Sequence, residues 1–368
     1  MRIRAAVLYK TKTPFEVQQV ELLPPRDGEV LVRVAAAGIC HSDYHIVTGD
    51  LPHPLPAVLG HEGSGVVEAV GPGVTSVKQG DHVIPLFKAP CGSCYYCLRG
   101  KPALCDFSVK ARMSGHLLDG TTRLCRDGQD IHHHQMVSCF AEYFVAPEQA
   151  LLKIRPDIPL DRAALVGCAV TTGVGAVLFA GKVTPGSSVL IVGAGGVGLN
   201  AVQGARLAGA NPIIVADIVP AKLEWASKFG ATHTINARER DVVATTRELT
   251  EGRGADHAFE VIGRIETVRQ AYDATRKGGT FVMVGVPPAE ASLSFSPLQM
   301  IRDEKTIQPC ICGSVDFRRD MPMFLDLYMG GRLNLDDLIT RRFKLDDINE
   351  AYAAMLRGDV ARGVITFE

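Results

Sequence analysis

The chain has 368 residues, enough for two domains at roughly 150 residues each. Hydrophobic residues make up 46%, charged residues 21%, and the net charge is −1; this is a globular balance without the positive excess that draws nucleic acid or anionic lipid. The opening MRIRAAVLYK lacks the apolar core of a signal peptide and no apolar run approaches the ~20 residues of a membrane span, so a cytoplasmic location with reduced thiols is expected, and the ten cysteines point to metal or redox chemistry rather than disulfides.

The first third reads as β-rich. VLVRVAAAG (30–38), GSGVVEAVG (63–71) and HVIPLF (82–87) are short β-prone stretches divided by Gly, Pro and Asp turns. Residues 106–139, with scattered Gly, Asp, His and Cys, read as one long irregular loop of the kind that is functional or tied down. From about Thr171 the rhythm changes. The runs SSVLIVG (187–193), PIIVAD (212–217), THTIN, HAFEVIG (257–263) and TFVMVGV (280–286) alternate with helical stretches, which predicts a parallel sheet with crossover helices. After about Pro309 the pattern is mixed again, and the tail RGVITFE (362–368) can return to the first domain as a strand. The expected division is therefore 1–170, 171–310 and 311–368, the last segment rejoining the first.

Three constellations carry chemistry. CGSCYYCLRGKPALC (91–105) holds Cys91, Cys94, Cys97 and Cys105, four thiolates close enough to close a tetrahedral Zn²⁺ with no open position. Packed reduced cysteines and an iron–sulfur cluster are the competing readings. Cys40 in GICHSDYH, His61 in GHEG and Cys168 in LVGCAVTTG are each weak alone. Together they make a Cys₂His set that leaves one zinc position open, as a catalytic site requires. Finally, VGAGGVG (192–198) contains Gly193, Gly195 and Gly198 as G-x-G-x-x-G. It follows a strand, opens a helix, and precedes Asp217 at the end of the next strand, where a carboxylate can accept from a ribose diol and repel a 2′-phosphate. NAD is thus favoured over NADP, against a flavin site or a structural glycine turn.

With GICHSD, GHEGSGVVEAVG, the cysteine lobe, GC-x₃-TG, GAGGVG, FEVIGR and VGVPP in order, the whole chain resembles the zinc-dependent alcohol dehydrogenases of the medium-chain dehydrogenase/reductase superfamily. DGTTRL and IHHH in the long loop look like the class I and class III branch. The resemblance implies an α/β protein: a Rossmann doubly wound parallel sheet plus a GroES-like β-rich catalytic domain. It implies two zinc ions per chain, catalytic at Cys40, His61 and Cys168 and structural at the four-cysteine lobe, with NAD as cofactor. Glu62 would lie behind the metal and Asp43 would orient His61. His41, Thr172, Gly193, Gly195, Gly196, Val197, Gly198, Asp217, Lys222, Ile262, Arg264, Val286 and Arg362 would bind the cofactor. Leu51, Phe87 and His134 would wall the substrate channel. An alcohol must lose its proton before hydride leaves, and Ser42 would pass it through the nicotinamide ribose to His45, an imidazole whose unperturbed pKa of ~6.5 suits exchange with water. An exposed loop histidine is the plainer reading of His45.

Two departures from the family pattern matter. His41 stands where many relatives carry Arg, which weakens its hold on pyrophosphate. Val109 stands where the glutathione-dependent formaldehyde branch carries an Arg, which puts that activity in doubt; Lys110 and Arg112 are close by. His134 and Gln135 point to a polar pocket. The leading function is reversible hydride transfer between an alcohol and NAD. The alternatives are oxidation of a thiol–formaldehyde adduct, a non-catalytic module of the same fold, and a tightly held NAD recycled by an external acceptor. The implied partners are a small alcohol or aldehyde and a second copy of the chain, as a homodimer or a tetramer of two dimers, with TFVMVGV and SFSPLQMI (294–301) as the expected sheet edge.

Overall fold

A strand with one wet face alternates apolar and polar residues, but Glu29–Gly38 is buried at every position except Arg33 and Ala35. The reason is its neighbours. In the computed structural model, which describes residues 1–367, this strand pairs antiparallel with Gly63–Val70, Tyr143–Pro147 and Arg362–Thr366. The sheet runs Leu151–Ile154, His82–Pro85, Gly63–Val70, Glu29–Gly38, Arg362–Thr366, Ile339–Phe343. Beside it, Arg2–Leu8, Glu16–Leu22, Leu124–Arg126, Gln129–His133 and Ala57–Val58 close into a barrel. Val32, Val34, Phe140, Phe144 and Ile365 lie in the core of this β-rich unit.

The structure corrects the reading of 106–139 as irregular. Val109–Ser114 is helical, and Leu124–Arg126 and Gln129–His133 form a hairpin across Asp127 (φ 50°) and Gly128 (φ 79°). An Asp-Gly pair with both residues at positive φ is the tight hairpin turn whose twist matches its strands, so the signal was present in CRDGQD. Three- and five-residue strands are too short to show a period against a polar background.

The α/β unit is built on six parallel strands in the spatial order His233–Asn236, Ile213–Asp217, Val189–Val192, Ala255–Glu260, Thr275–Met283, Thr306–Pro309. The order reverses between Val189–Val192 and Ala255–Glu260, and doubly wound sheets bind ligands at the carboxyl ends of the strands at such a switch. Helices Gly196–Leu207, Pro220–Phe229, Val242–Glu248 and Ile265–Ala274 make the crossovers. Pro220 at the first turn and Asp241, whose side chain accepts from Ala244 N–H at 2.7 Å, start two of them. The edge expected at TFVMVGV is also corrected: Thr306–Pro309 pairs outside Thr275–Met283, Thr280 facing Thr306. That edge strand is four residues long and ends on Pro309, which has no N–H, so its sequence, TIQP, carries little strand signal.

The chain divides into two compact units, Met1–Cys168 with Asp316–Gly331 and Leu335–Glu368, and Ala169–Val315 with Arg332–Asn334. Among the described residues no single helix is long and apolar enough to cross a membrane.

Candidate active site and metal centres

The helix His41–Thr48 begins at Cys40, whose extended backbone (φ −123°) ends the long strand and turns its side chain into the β-rich unit. One turn later Asp43 is fully buried. Its Oδ1 accepts from Gly60 N–H at 3.1 Å and lies 3.0 Å from His61 Nδ1. That contact places the ring proton on Nδ1 and leaves Nε2 as a lone-pair donor, the form a metal-binding imidazole needs. Nε2 is 3.2 Å from Cys168 Sγ, and one ligand atom from each of Cys40, His61 and Cys168 lies within 4.8 Å of the others, all three buried. Burial opposes charge on His61, yet Asp43 and then Cys40 outweigh it and raise its pKa. The hydrogen bond between the two thiols draws Cys40 below its ordinary value and pushes Cys168 up.

Behind the set, Arg362 Nη2 donates to Glu62 Oε2, both side chains buried. Burial pushes Glu62 up to about 7 against the pull of Arg362. Gly38 makes room for this carboxylate, since a Cβ there would stand 2.7 Å from Glu62 Cδ. Phe87 packs edge-on to His61, ring centres 5.2 Å apart. His134, a wall residue in the sequence reading, does more: its Nδ1 lies 3.0 Å from the same Asp43 oxygen that holds His61, and burial lowers its pKa. His53 stacks edge-on against it at 5.3 Å. Ser42 and His45 lie on the first helix, and Leu51, half-buried, follows its end. His41 is exposed at the first position of that helix.

The four-cysteine lobe is assembled by its own chain. Gly92 (φ 77°) and Gly100 (φ 67°) reverse direction, and Cys97–Arg99 and Pro102–Leu104 are single helical turns. Cys94 Sγ and Cys91 Sγ each lie 3.7 Å from Cys105 Sγ, and all four sulfurs lie within 4.8 Å of one another. The backbone N–H of Cys94 donates to Cys91 Sγ at 3.3 Å. Hydrogen bonding, first from the Ser93 backbone, draws Cys91 down to about 6, whereas burial pushes Cys97 up to about 12. The ten cysteines are all free of disulfides. A closed S₄ set fits structural zinc, and a buried S₂N set with a carboxylate behind its imidazole fits catalytic zinc.

In the α/β unit the glycine turn is built for close approach. A Cβ on Gly198 would stand 1.9 Å from Gly193 O, so only glycine lets the helix Gly196–Leu207 start there. The position of a Cβ on Gly195 meets nothing within 4 Å, which leaves open space for a pyrophosphate beside Gly196 and Val197. Asp217 ends the second strand, its Oδ2 accepting from Ala194 N–H at 2.8 Å and its Oδ1 from Val219 N–H at 2.9 Å. The carboxylate is therefore fixed, with lone pairs to spare for a diol. Thr172 lies on the helix Ala169–Gly175 and Lys222 on Pro220–Phe229. Ile262 and Val286 are exposed, and Arg264 pairs loosely with Glu266 at 3.5 Å.

Sequence reasoning missed Glu260. This fully buried carboxylate ends its strand and accepts from Ile262 N–H, Gly263 N–H and Thr267 Oγ–H at 3.0, 2.8 and 2.7 Å, shaping the loop that presents Ile262 and Arg264. It stood in FEVIGR, but nothing in that string shows that the side chain turns back onto its own loop.

An alcohol dehydrogenase GroES-like domain model matches residues 26–156, and a zinc-binding dehydrogenase model matches 196–329. The alcohol dehydrogenase class-3 of Cereibacter sphaeroides is 42% identical over the full length of both chains. The chain belongs to the zinc-dependent alcohol dehydrogenases. The S-(hydroxymethyl)glutathione dehydrogenase of Synechocystis, also 42% identical over the full length of both, and the NDMA-dependent alcohol dehydrogenase of Amycolatopsis methanolica, 40% identical over 99% of each, are further relatives within this family. Among solved structures, benzyl alcohol dehydrogenase from Acinetobacter calcoaceticus superposes with a TM-score of 0.94 at 36% identity, each chain wholly covered. As a zinc-dependent alcohol dehydrogenase of the medium-chain superfamily, the chain is an oxidoreductase whose two units are the GroES-like and Rossmann folds of that family.

Proposed function

We propose that this enzyme moves hydride reversibly between an alcohol and NAD, with one zinc held by Cys40, His61 and Cys168 and a second held by Cys91, Cys94, Cys97 and Cys105. When bound, the first zinc supplies a Lewis acid that favours the deprotonated alcohol, and the nicotinamide accepts its hydride. The chain's own groups do the rest. Asp43 holds His61 in its metal-binding tautomer, and Ser42 and His45 carry the alcohol proton toward water. Phe87, Leu51 and His134 shape the space beside His61. Gly193, Gly195 and Gly198 admit the pyrophosphate, and Asp217 accepts from the ribose. Thr172, Lys222, Ile262, Arg264 and Val286 complete the cofactor site, with His41 and Arg362 on the pyrophosphate side. The reading also takes the enzyme to be cytoplasmic, where thiols stay reduced, and homodimeric or tetrameric, pairing through the edge strand Thr306–Pro309.

The observation that carries it is the buried Cys₂His set whose imidazole is oriented by Asp43. Metal analysis of active enzyme, with steady-state rates across short, long, branched and aromatic alcohols with NAD, tests it. Two zinc per chain and NAD-linked turnover are expected, and one zinc or none in active enzyme overturns it.

Oxidation of a glutathione–formaldehyde adduct is the second reading, favoured by the names of the relatives at 42% identity. Against it, Val109 opens the helix Val109–Ser114, and Arg112 is engaged by Gln135 Oε1 at 3.1 Å and Ser108 Oγ at 3.3 Å. Formaldehyde oxidation measured with and without glutathione separates the two.

A further inference from the structure

The proton path proposed above ends at His45, and an imidazole can receive a proton at only one nitrogen if the other already carries one. The helix His41–Thr48 stops at Gly49 in the left-handed region (φ 85°), and the chain doubles back so that Leu51 N–H donates to His45 O at 3.0 Å. This reversal brings Asp50 over the last turn. Its Oδ2 stands 3.1 Å from His45 Nδ1 and accepts the Thr48 hydroxyl at 2.6 Å. These bonds, Thr48 first and His45 second, hold the Asp50 carboxyl below the usual carboxylate range. The carboxylate therefore faces Nδ1 as an acceptor throughout the working pH range. From the loop after the first strand, Lys12 acts on Asp50, and its N–H is pinned to Val47 O at 2.6 Å. The side chain of His45 is 21% exposed and that of Asp50 41%, so both stand between the interior and water.

We propose that Asp50, set by Thr48, is a positioning residue for proton exit: it fixes His45 Nδ1 as the protonated nitrogen and leaves Nε2 to receive the proton released by the alcohol. The alcohol O–H proton ends on Nε2, the imidazolium keeps its Nδ1–H on Asp50, and one proton then passes from the ring to water. Asp50 itself stays ionised, and the electron pair of the C–H bond leaves as hydride to the nicotinamide. The inference rests on the reading of His45 as the end of the relay. It assigns a task to a residue that the turn geometry alone would leave as a simple cap.

The experiment compares wild type, His45→Gln, Asp50→Asn, Asp50→Glu, Thr48→Val and the His45→Gln/Asp50→Asn pair. Alcohol oxidation is followed from pH 6.5 to 10, and the His45 tautomer is read by ¹⁵N NMR. Asp50→Asn is expected to slow oxidation about 3–10-fold near pH 7, below the ~10²-fold low end for a general base itself, and to have little effect at pH 10 where hydroxide takes the proton. It should also shift the ring away from the Nδ1–H form, with Asp50→Glu restoring both and Asp50→Asn adding no loss on His45→Gln. Thr48→Val should act in the same direction more weakly, and it decides the matter if Asp50→Asn is unstable. Rate loss equal at every pH, an unchanged tautomer, or full additivity with His45→Gln overturns the assignment and leaves the relay standing. An unaffected neutral-pH rate in His45→Gln overturns the relay itself and Asp50 with it.

Discussion

The two thiol-rich clusters of this enzyme are made in opposite ways. Cys91, Cys94, Cys97 and Cys105 come from a single short segment, and three of the four are only partly buried. Cys40, His61 and Cys168 come from the start of a helix, the turn before a strand and the far end of the β-rich unit, and all three are buried. The local set can form wherever its loop folds, since two glycines and two helical turns bring the sulfurs together. The dispersed set exists only when the whole unit is packed. It is also the one supported from behind: Asp43 holds His61, His134 shares Asp43, and Arg362 faces Glu62. Charged groups buried at such cost belong where chemistry is tuned, which suits the dispersed set to the catalytic task proposed for it.

The sharpest way to break this comparison is to cut one ligand from each set. Cys168→Ala should lower kcat/KM about a thousandfold or more, the several kcal/mol that a Lewis acid supplies, while the melting temperature changes little. Cys97→Ser should do the reverse. Its melting temperature should fall by at least about 5 °C, since 1 kcal/mol corresponds to roughly 2–4 °C in a domain of this size, with residual activity at low temperature tracking the folded fraction. Calorimetry and rates on both variants check this, and equal effects on stability and turnover in the two would erase the distinction.

The same contrast can be drawn for the nucleotide unit, where the proposed reading gives the choice of cofactor to one carboxylate, Asp217. A 2′-phosphate about 4 Å from Asp217 is opposed by ~4 kcal/mol at an effective dielectric of 20, so the wild type should prefer NAD over NADP by up to about three powers of ten. Asp217→Gly should narrow the ratio by losing NAD affinity as well as the repulsion. Comparable wild-type kcat/KM for both cofactors would remove Asp217 from the ribose.

A smaller effect probes the support behind the dispersed set. Asp43→Asn keeps the shape but removes the charge that faces His61 and cannot accept its proton in the same way, and zinc retention against a chelator should weaken about 10–100-fold at that site alone. The lobe should keep its metal, and parallel loss from both sites would mean that Asp43 acts through the fold.

The last effect is on acid stability and is small at neutral pH. His133 is fully buried, its Nε2 accepting from Arg123 N–H at 3.1 Å and its Nδ1 3.3 Å from Ser138 Oγ. Burial first, and then Arg123, pulls its pKa down to about 3, whereas an unfolded histidine titrates near ~6.5. The unfolded chain thus binds a proton that the folded chain refuses. This stability is fully present above pH ~6.5 and is lost as pH falls toward 3, by roughly 2–3 kcal/mol at pH 4.5. The residue next in sequence is His134, so acid should loosen the dispersed set before the lobe. Denaturant unfolding of wild type and His133→Gln at pH 7 and pH 4.5 should show a smaller pH effect in the variant, and equal pH effects would clear His133 of the role.

What the sequence alone determined follows from what is short-ranged. The four-cysteine spacing, the glycine turn between a strand and a helix, and the alternation that makes a parallel sheet are all properties of neighbouring residues, and each was legible. Tertiary structure decided the rest. It placed Asp217 so that both oxygens are held by backbone N–H groups, and turned Glu260 back onto the loop that it shapes. It made strands of Leu124–Arg126 and Gln129–His133, too short to show a period, by closing them into a barrel, and gave the sheet its edge at a four-residue strand ending in proline. It also brought His134 onto the Asp43 oxygen that holds His61, ninety-one positions away in the chain. Desolvation and shared hydrogen bonds depend on what surrounds a side chain in space, so no spacing rule along the chain could have shown which histidine would meet that carboxylate.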